Sequence, residues 1–257
     1  MKKFKHSGAF GDLIYGLPIV KHFNGGEFYL HLNQIDWIGQ YYYGSLPNPF
    51  HQGRMTQQDF DYMKTFMLAQ SYITKFDIMR QDTEITHNLD KFRPPFVGHP
   101  GNYIDIYSSV FGLDQSAALT ARSTSWLTVP LARTIKDRPV VINRSLRWIP
   151  GSPGKQWNIW QQEGMESQAI FVGLPEEHAA FQKATNWIIP HIPTSTMLEV
   201  AELIAGAEKY IGNQSQGLAL AIGLGVKEIH CEARVDMPLE RNECYFPDMT
   251  NIKYFNI

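Results

Sequence analysis

Short strands and helices alternate from residue 139 towards the carboxyl end of the chain, and this order is the strongest constraint on its fold. Runs of β-branched or aromatic residues predict strands, and segments with apolar residues at helical spacing separate them. The predicted strands are 140–142, 169–172, 187–189, 209–211 and 228–231, and the predicted helices lie at about 176–184, 197–206 and 216–224. Thr196 and Glu199 have the spacing of a capping box at the start of the second helix. Strands joined through helices pair in parallel, so this half is predicted to be an α/β domain.

The amino-terminal half begins with the same order of elements. A predicted strand ends at His6, a glycine-containing turn follows, and the next helix carries its apolar residues on one side. The further elements predicted here are a strand at 27–32, a helix at about 56–73 and a strand near 76–79. The segment 116–136, rich in Ser, Thr, Ala and Arg, is a natural boundary. We therefore expect two domains, residues 1–125 and 126–257.

Charge and cysteine content exclude several classes of function. The 257 residues include 23 Lys and Arg and 25 Asp and Glu. The chain therefore lacks the surplus of positive charge that is typical of nucleic-acid-binding proteins. Cys231 and Cys244 are too few for a disulfide framework and lie in no Cys/His cluster, which also argues against structural zinc. The chain begins with basic residues, as a secretion signal does, but Asp12 interrupts the apolar stretch that would have to follow them. The longest uncharged apolar run, 218–226, is far below the ~20 residues that cross a bilayer. We expect a cytoplasmic protein with no transmembrane segment and no nucleic-acid partner.

The first candidate site is the turn between the first strand and the first helix, residues 7–18. Its glycines allow a ligand to approach the backbone, and the N–H groups of the first helical turn favour an anion. Neither GxGxxG nor GxxxxGK[ST] fits the spacing. Asp12, which follows Gly11, is either a helix cap or a general base at the carboxyl end of a strand, where open α/β sheets place their active sites.

The second and third candidate sites also follow predicted strands. Residues 143–157 contain Arg144, Arg147 and Lys155, three cations that could hold a diphosphate or could belong to a solvated loop. Residues 211–225 place amides and a hydroxyl before a helix of very small side chains. Such groups at a helix start can bind phosphate oxygens, or they can simply cap the helix.

Together, these segments resemble the ADP-heptose:lipopolysaccharide heptosyltransferases, glycosyltransferase family 9, and related short glycosyltransferases of the GT-B type. The family begins with a Gly-Asp helix start and a Leu-Pro pair, seen here as Gly11-Asp12 and Leu17-Pro18. The other matching elements are Lys155-Gln156-Trp157 for its Lys-x-Trp element, residues 172–178 for its Gly-x-x-Glu-His-like turn, and residues 211–226 for its phosphate-binding turn, helix and Gly-Val pair. The resemblance thus touches both halves of the chain.

The resemblance implies two facing Rossmann-like domains with parallel sheets and an interdomain cleft, the acceptor on the amino-terminal domain and the nucleotide sugar on the other. It implies inverting, metal-independent transfer of a sugar from a nucleotide-diphosphate donor to a glycan or lipopolysaccharide-type acceptor, with no cofactor. Asp12 would take the proton of the acceptor hydroxyl, Lys155 with Arg144 would offset charge on the leaving diphosphate, and Glu177 would contact the ribose or the sugar. The other substrate-binding residues implied are Gly11, Asn213, Gln214, Ser215, Gln216 and Gly217.

The third segment departs from the family. The family usually has an Asp-Thr-Gly-Leu turn with a His soon after, whereas Asn213 here begins the run Asn-Gln-Ser-Gln-Gly-Leu without that His. The donor therefore need not be ADP-heptose. Two other functions stay open: a nucleotide-sugar-binding protein without catalysis, and an enzyme that acts on a nucleotide sugar alone, such as an epimerase or hydrolase. The segment 88–93 either contacts the acceptor or forms a surface loop.

Overall fold

The computed structural model describes residues 1–33, 55–93, 101–146, 155–233, 238–242 and 244–256. The chain divides into two compact units, Met1–Trp126 and Leu127–Ile257. Each unit contains one sheet of parallel strands with helices between them. Across the described ranges, no helix has both the length and the apolar character that a bilayer span requires.

The first unit is built on a four-stranded sheet. Its strands are β1 (Lys3–His6), β2 (Gly26–Leu30), β3 (Ile73–Ile78) and β4 (His87–Asn88), and its α-helices are α1 (Phe10–His22), α2 (Gln57–Leu68), α3 (Tyr103–Val110) and α4 (Gln115–Ser123). The strand order is β3-β2-β1-β4, and every pair is parallel. The chain thus moves outward from β1 to β3 and then returns to place β4 on the other side of β1. The switch point lies between β1 and β4, where open α/β sheets bind their ligands.

The helix predicted at 56–73 is shorter in the structure. α2 ends at Leu68, and β3 begins at Ile73 rather than near 76. The carbonyl of Tyr72 accepts the Gly26 N–H at 3.0 Å, which commits this part of the chain to the sheet. Long-range pairing with β2 therefore overrides the helical apolar spacing at this point.

The second unit is built on a six-stranded parallel sheet. Its strands are β5 (Val140–Asn143), β6 (Ala169–Val172), β7 (His191–Ile192), β8 (Lys209–Asn213), β9 (Glu228–Ala233) and β10 (Ile252–Asn256). Its α-helices are α5 (Lys155–Gln162), α6 (Pro175–Thr185), α7 (Met197–Ala205) and α8 (Gln216–Leu224). The strand order β10-β9-β8-β5-β6-β7 places the switch point between β5 and β8. The predicted capping box is confirmed, since Thr196 and Glu199 exchange side-chain-to-backbone hydrogen bonds at 3.3 Å at the start of α7.

The strand predicted at 187–189 is wrong. Trp187 and Ile189 are buried and Ile188 is exposed, which is the alternation that suggested a strand. Two side chains take the backbone N–H groups instead, since Trp187 donates to the Thr185 hydroxyl at 3.2 Å and Ile188 to a Glu166 carboxylate oxygen at 2.5 Å. Pairing with β6 starts at the carbonyl of Pro190, so the strand lies at β7.

Candidate functional site

Asp12 lies in the first turn of α1, directly after the carboxyl end of β1. The N-cap of α1 is Ala9, whose methyl group cannot cap, and Gly11 and Asp12 follow as the second and third residues of the helix. The Asp12 side chain is nine-tenths buried and its Oδ2 accepts a hydrogen bond from Arg93 Nη1 at 3.2 Å. Asp12 is therefore the partner of a buried cation, and the helix-cap alternative does not describe it.

Arg93 joins Asp12 to the segment that follows β4 across the switch point. Its Nε donates to Asp90 Oδ1 at 3.3 Å, and its Nη2 donates to the Gly8 carbonyl at 2.9 Å. Asp90 and Arg93 are both buried, so the segment 88–93 is not a surface loop. The guanidinium thus holds two carboxylates and one backbone carbonyl in a fixed arrangement.

A buried histidine, His6, is hydrogen-bonded to the turn between β1 and α1. The Gly8 N–H donates to His6 Nδ1 at 3.0 Å, so His6 carries its proton on Nε2, which donates to the Tyr107 hydroxyl at 2.8 Å. That hydroxyl donates to the Asp12 backbone carbonyl at 3.0 Å. Burial lowers the pKa of His6 to about 3, so the ring is neutral and serves as a fixed link.

Asp90 carries its charge in the same cluster. Its Oδ1 accepts hydrogen bonds from the Ser7 N–H at 3.1 Å and the Ser7 hydroxyl at 2.8 Å. Burial alone would raise the pKa of the Asp90 carboxyl, but the attraction of its charged neighbours, Arg93 among them, and the Ser7 hydrogen bonds outweigh burial and hold the pKa below its ordinary value. Arg93 therefore faces a permanent negative charge on this side.

The second unit brings the ends of β5 and β8 together at its switch point. Asn213 is fully buried, and its side-chain amide bonds both the N–H and the carbonyl of Ser145, at 3.1 and 2.7 Å. Ser215, the N-cap of α8, makes no side-chain cap bond, and its hydroxyl donates to Asn143 Oδ1 at 3.2 Å. Because these side chains join two loops, the backbone N–H groups at the start of α8 are the groups better suited to bind an anion.

Arg144 crosses this switch point. It is fully buried, and its Nε donates to Glu232 Oε2, at the end of β9, at 2.6 Å. The other Glu232 oxygen accepts from the indole N–H of Trp157, in the first turn of α5, at 3.3 Å. Arg144 is thus not the solvated loop cation of the alternative hypothesis.

Glu177 lies beside the same loop, at the start of α6. Its Oε2 accepts the Leu174 N–H at 2.9 Å, and the Ser145 hydroxyl and Leu146 N–H also hydrogen-bond to it. Burial raises the pKa of this carboxyl above its ordinary value. Glu177 therefore ties α6 to the loop after β5.

The remaining predicted residues take different positions. Gln214 donates from its amide to Asn242 Oδ1 at 2.6 Å, towards the carboxy-terminal segment. Gln216 and Gly217 form the first turn of α8, and a Cβ on Gly217 would lie 2.2 Å from Asn143 Oδ1, so only glycine fits there. Lys155 begins α5, and its side chain is outside what the structure describes.

The two clusters suit different chemistry. The first presents a buried carboxylate held by an arginine, an arrangement suited to accepting a proton. The second joins the amino ends of two helices to a buried guanidinium, an arrangement suited to an anion. Sequence reasoning did not single out His6, Tyr107 or Glu232, and it named Asp90 and Arg93 only within the segment 88–93. For His6 and Glu232 the available signal was a polar residue at the end of a predicted strand.

Comparisons with solved structures support the fold. The chain is similar to the glycosyl transferase family 9 protein from Veillonella parvula DSM 2008, with 11% identity over 100% of this chain and 85% of that one and a TM-score of 0.62. It is similar to the iron-containing dodecameric glycosyltransferase TibC from enterotoxigenic E. coli H10407, with 14% identity over 95% and 60% of the two chains and a TM-score of 0.53. TibC in complex with ADP-D-beta-D-heptose gives 13% identity, 93% and 59% coverage and a TM-score of 0.52. No protein-family model and no curated protein matches the sequence. The likeness confirms the predicted α/β fold of the GT-B-like class and the resemblance in fold to glycosyltransferase family 9.

Proposed function

We propose that the protein is an inverting, metal-independent glycosyltransferase that moves a sugar from a nucleotide-diphosphate donor to a glycan or lipopolysaccharide-type acceptor. In this proposal, residues 1–125 form the domain that binds the acceptor, and residues 126–257 form the domain that binds the nucleotide sugar. The fold likeness to family 9 glycosyltransferases supports the reaction class. Cys231 and Cys244 are buried thiols, which fits the cytoplasm as the compartment of the protein.

The observation that carries the proposal is the position of Asp12. Its carboxylate lies at the switch point of the first sheet and is hydrogen-bonded to Arg93. The N-cap of α1 is a different residue, Ala9. Asp12 accepts the proton of the acceptor hydroxyl, whose oxygen then bonds to the anomeric carbon of the donor. The bond from that carbon to the diphosphate oxygen breaks, and the nucleoside diphosphate leaves with the bonding electrons. Attack from the side opposite to the leaving group inverts the configuration.

The second unit supplies the donor site in this proposal. Lys155 and Arg144 offset the charge of the leaving diphosphate, and the turn formed by Asn213, Gln214, Ser215, Gln216 and Gly217 binds its oxygens through backbone N–H groups. Glu177, beside the loop after β5, contacts the ribose or the sugar. Gly11 allows the acceptor to approach the start of α1. Because cations and helix termini carry the diphosphate charge, activity is expected to persist in EDTA.

The test is an assay with a panel of ADP-, GDP-, UDP- and CMP- or CDP-activated sugars and a deacylated lipopolysaccharide core as the acceptor. Release of nucleotide that depends on the acceptor, with an inverted anomeric centre by NMR, supports the proposal. Asp12→Asn is expected to reduce transfer by about 10²- to 10⁴-fold, the usual contribution of a general base, while donor binding stays intact. Asp61→Asn, on the exposed side of α2, is the matched control.

The other outcomes separate the remaining hypotheses. Binding of a nucleotide sugar without release of nucleotide supports a binding protein that has no catalytic activity. Turnover without an added acceptor supports an enzyme that acts on the nucleotide sugar alone. Full activity of Asp12→Asn excludes Asp12 as the base.

A further inference from the structure

Arg144 is buried with part of its hydrogen-bonding capacity unused. Its side chain is 1% exposed, and its Nε donates to Glu232 Oε2 at 2.6 Å. Nη1 and Nη2 make no hydrogen bond within the part of the chain that the structure describes. A guanidinium has five N–H donors, so four of them are buried without an acceptor among the described residues. Unsatisfied buried donors of a charged group are costly, and a ligand that accepts from them removes that cost.

The position of the guanidinium relates it to the switch point of the second sheet. β8 lies between β5, which precedes Arg144, and β9, which ends next to Glu232. Neighbouring strands are about 4.8 Å apart, so the Arg144–Glu232 pair reaches across the carboxyl end of β8. α8 begins three residues after Asn213, the last residue of β8. The pair therefore lies at the sheet edge from which α8 starts.

Glu232 and Trp157 fix the direction of the guanidinium. Glu232 receives Arg144 Nε on one oxygen and the Trp157 indole N–H on the other. Trp157 is fully buried among the aromatic residues of the core and belongs to the first turn of α5. The guanidinium is thus held along its Nε edge, and the edge formed by Nη1 and Nη2 remains for a ligand. This edge presents two parallel donors, which match two oxygens of one phosphate group.

We propose that Arg144 forms a bidentate phosphate subsite, with Glu232 as its positioning residue, and that this subsite takes the diphosphate of a nucleoside diphosphate. The amino ends of α5 and α8 add positive potential at the same sheet edge, which favours a phosphate over a neutral group. The inference deepens the proposed function and rests on it for the identity of the ligand. The subsite itself requires only the second unit.

The experiment is isothermal titration of the full chain with ADP, GDP, UDP, CDP and inorganic pyrophosphate, with adenosine as the probe without phosphate. The double variant Arg144→Gln with Glu232→Gln removes the subsite and leaves no unpaired buried charge. We expect it to bind the tightest diphosphate about 10- to 100-fold more weakly, the loss that a charge-assisted pair of hydrogen bonds produces. Arg138→Gln, which makes the same change at the amino side of β5, is expected to bind as the unaltered chain does.

Pyrophosphate, which has no nucleoside, and adenosine, which has no phosphate, show which part of the ligand is bound. Binding of a nucleoside diphosphate or pyrophosphate that depends on Arg144 supports the inference. Failure of the unaltered chain to bind any of the phosphate probes, or binding within twofold by the double variant, overturns it. If Arg144-dependent binding occurs without sugar transfer, the subsite stands and the proposed transferase does not. If transfer occurs and Arg144 variants bind normally, the transferase stands and the subsite does not.

Glu232→Gln tests the positioning role by the sign of its effect. Removal of a negative charge beside an anion predicts tighter binding if Glu232 acts only through its charge. A glutamine cannot accept from both Arg144 Nε and Trp157 Nε1 on two oxygens, so the guanidinium loses its fixed direction. We expect diphosphate binding to weaken about three- to tenfold. Equal or tighter binding excludes a positioning role for Glu232.

Discussion

Each unit places a buried arginine at the switch point of its sheet, and the two arginines differ in what they leave unpaired. Arg93 uses Nε on Asp90, Nη1 on Asp12 and Nη2 on the Gly8 carbonyl. Arg144 uses Nε on Glu232, while Nη1 and Nη2 have no acceptor in the described ranges. In the first unit Arg93 positions the Asp12 carboxylate, and in the second unit the Glu232 carboxylate positions Arg144. The same pair of residue types therefore supports a proton acceptor in one unit and an anion site in the other.

The largest expected effect separates the two arginines by stability. Arg93→Gln removes the guanidinium from two buried carboxylates, Asp12 and Asp90, of which Asp90 keeps Lys5 Nζ at 4.0 Å, whereas Arg144→Gln removes it from one, Glu232. Loss of one partner from a buried ion pair costs about 3–5 kcal/mol, so Arg93→Gln is expected to lower the free energy of unfolding by at least that amount and by more than Arg144→Gln. Urea denaturation followed by circular dichroism measures both. Equal losses would show that the two arginines have equivalent surroundings.

The second effect is a pH dependence that belongs to the first unit. His6 has a folded pKa of about 3, below its unfolded value near 6.5, so from pH 6.5 downward the unfolded chain binds a proton that the folded chain does not. The free energy of unfolding therefore falls as the pH falls, by about 2 kcal/mol between pH 6.5 and 4.5 from this group. The lowered pKa of Asp90 acts only below about pH 4, outside this window.

The measurement is the free energy of unfolding as a function of pH for the unaltered chain and His6→Asn. The asparagine oxygen can still accept the Gly8 N–H, but the side chain does not titrate. We expect the variant to be less stable at pH 7 and to have a flatter profile between pH 6.5 and 4.5. His22→Asn, at the exposed end of α1, serves as the control. If the free energy of unfolding of His6→Asn and of the unaltered chain changes equally with pH, His6 is not the group whose protonation in the unfolded chain causes the pH dependence.

The third effect concerns the second unit alone. A Cβ on Gly217 would lie 2.2 Å from Asn143 Oδ1 and 2.5 Å from the Tyr210 hydroxyl. Gly217→Ala is therefore expected to displace the joined ends of β5 and β8 and to lower the free energy of unfolding by about 1–3 kcal/mol, as overpacking does. Diphosphate binding should weaken with it in isothermal titration. The control is Ala219→Gly in the same helix, which removes a methyl group and creates no overlap. Normal diphosphate binding by Gly217→Ala would show that the joined ends of β5 and β8 do not contribute to the anion site.

The sequence predicts the strands well where buried runs pair along their whole length. β5, β6, β8 and β9 include the predicted ranges, and all their residues are buried except Lys209 and Glu228, which begin β8 and β9 and are half-buried. The prediction fails at 187–189, where Thr185 and Glu166 take the backbone N–H groups that a strand would use. Thr185 is a local partner, but Glu166 lies 22 residues before Ile188, and no local pattern connects those two residues.

The candidate sites follow the same division. Topology alone places Asp12, Arg144 and Asn213 at the carboxyl ends of strands, and this could be predicted from the order of elements. Their partners could not, because Arg93 is 81 residues from Asp12 and Glu232 is 88 residues from Arg144. Register and side-chain reach decide such pairs, and both are set by the folded sheet. A polar residue at the end of an apolar strand, such as Glu232, is the signal that merits attention in similar chains.

The smallest expected effect is a matched pair of helix caps, one in each unit. Thr56 and Thr196 both form capping boxes, with Asp59 at the start of α2 and Glu199 at the start of α7. Thr56→Ala and Thr196→Ala should each lower the free energy of unfolding by about 1 kcal/mol, the usual cost of a lost N-cap. Neither threonine lies at a switch point, so diphosphate binding by either folded variant should match that of the unaltered chain. Weaker diphosphate binding by Thr196→Ala would show that α7 contributes to the anion site. The difference between the two units would then involve a helix as well as the residues at the ends of the strands.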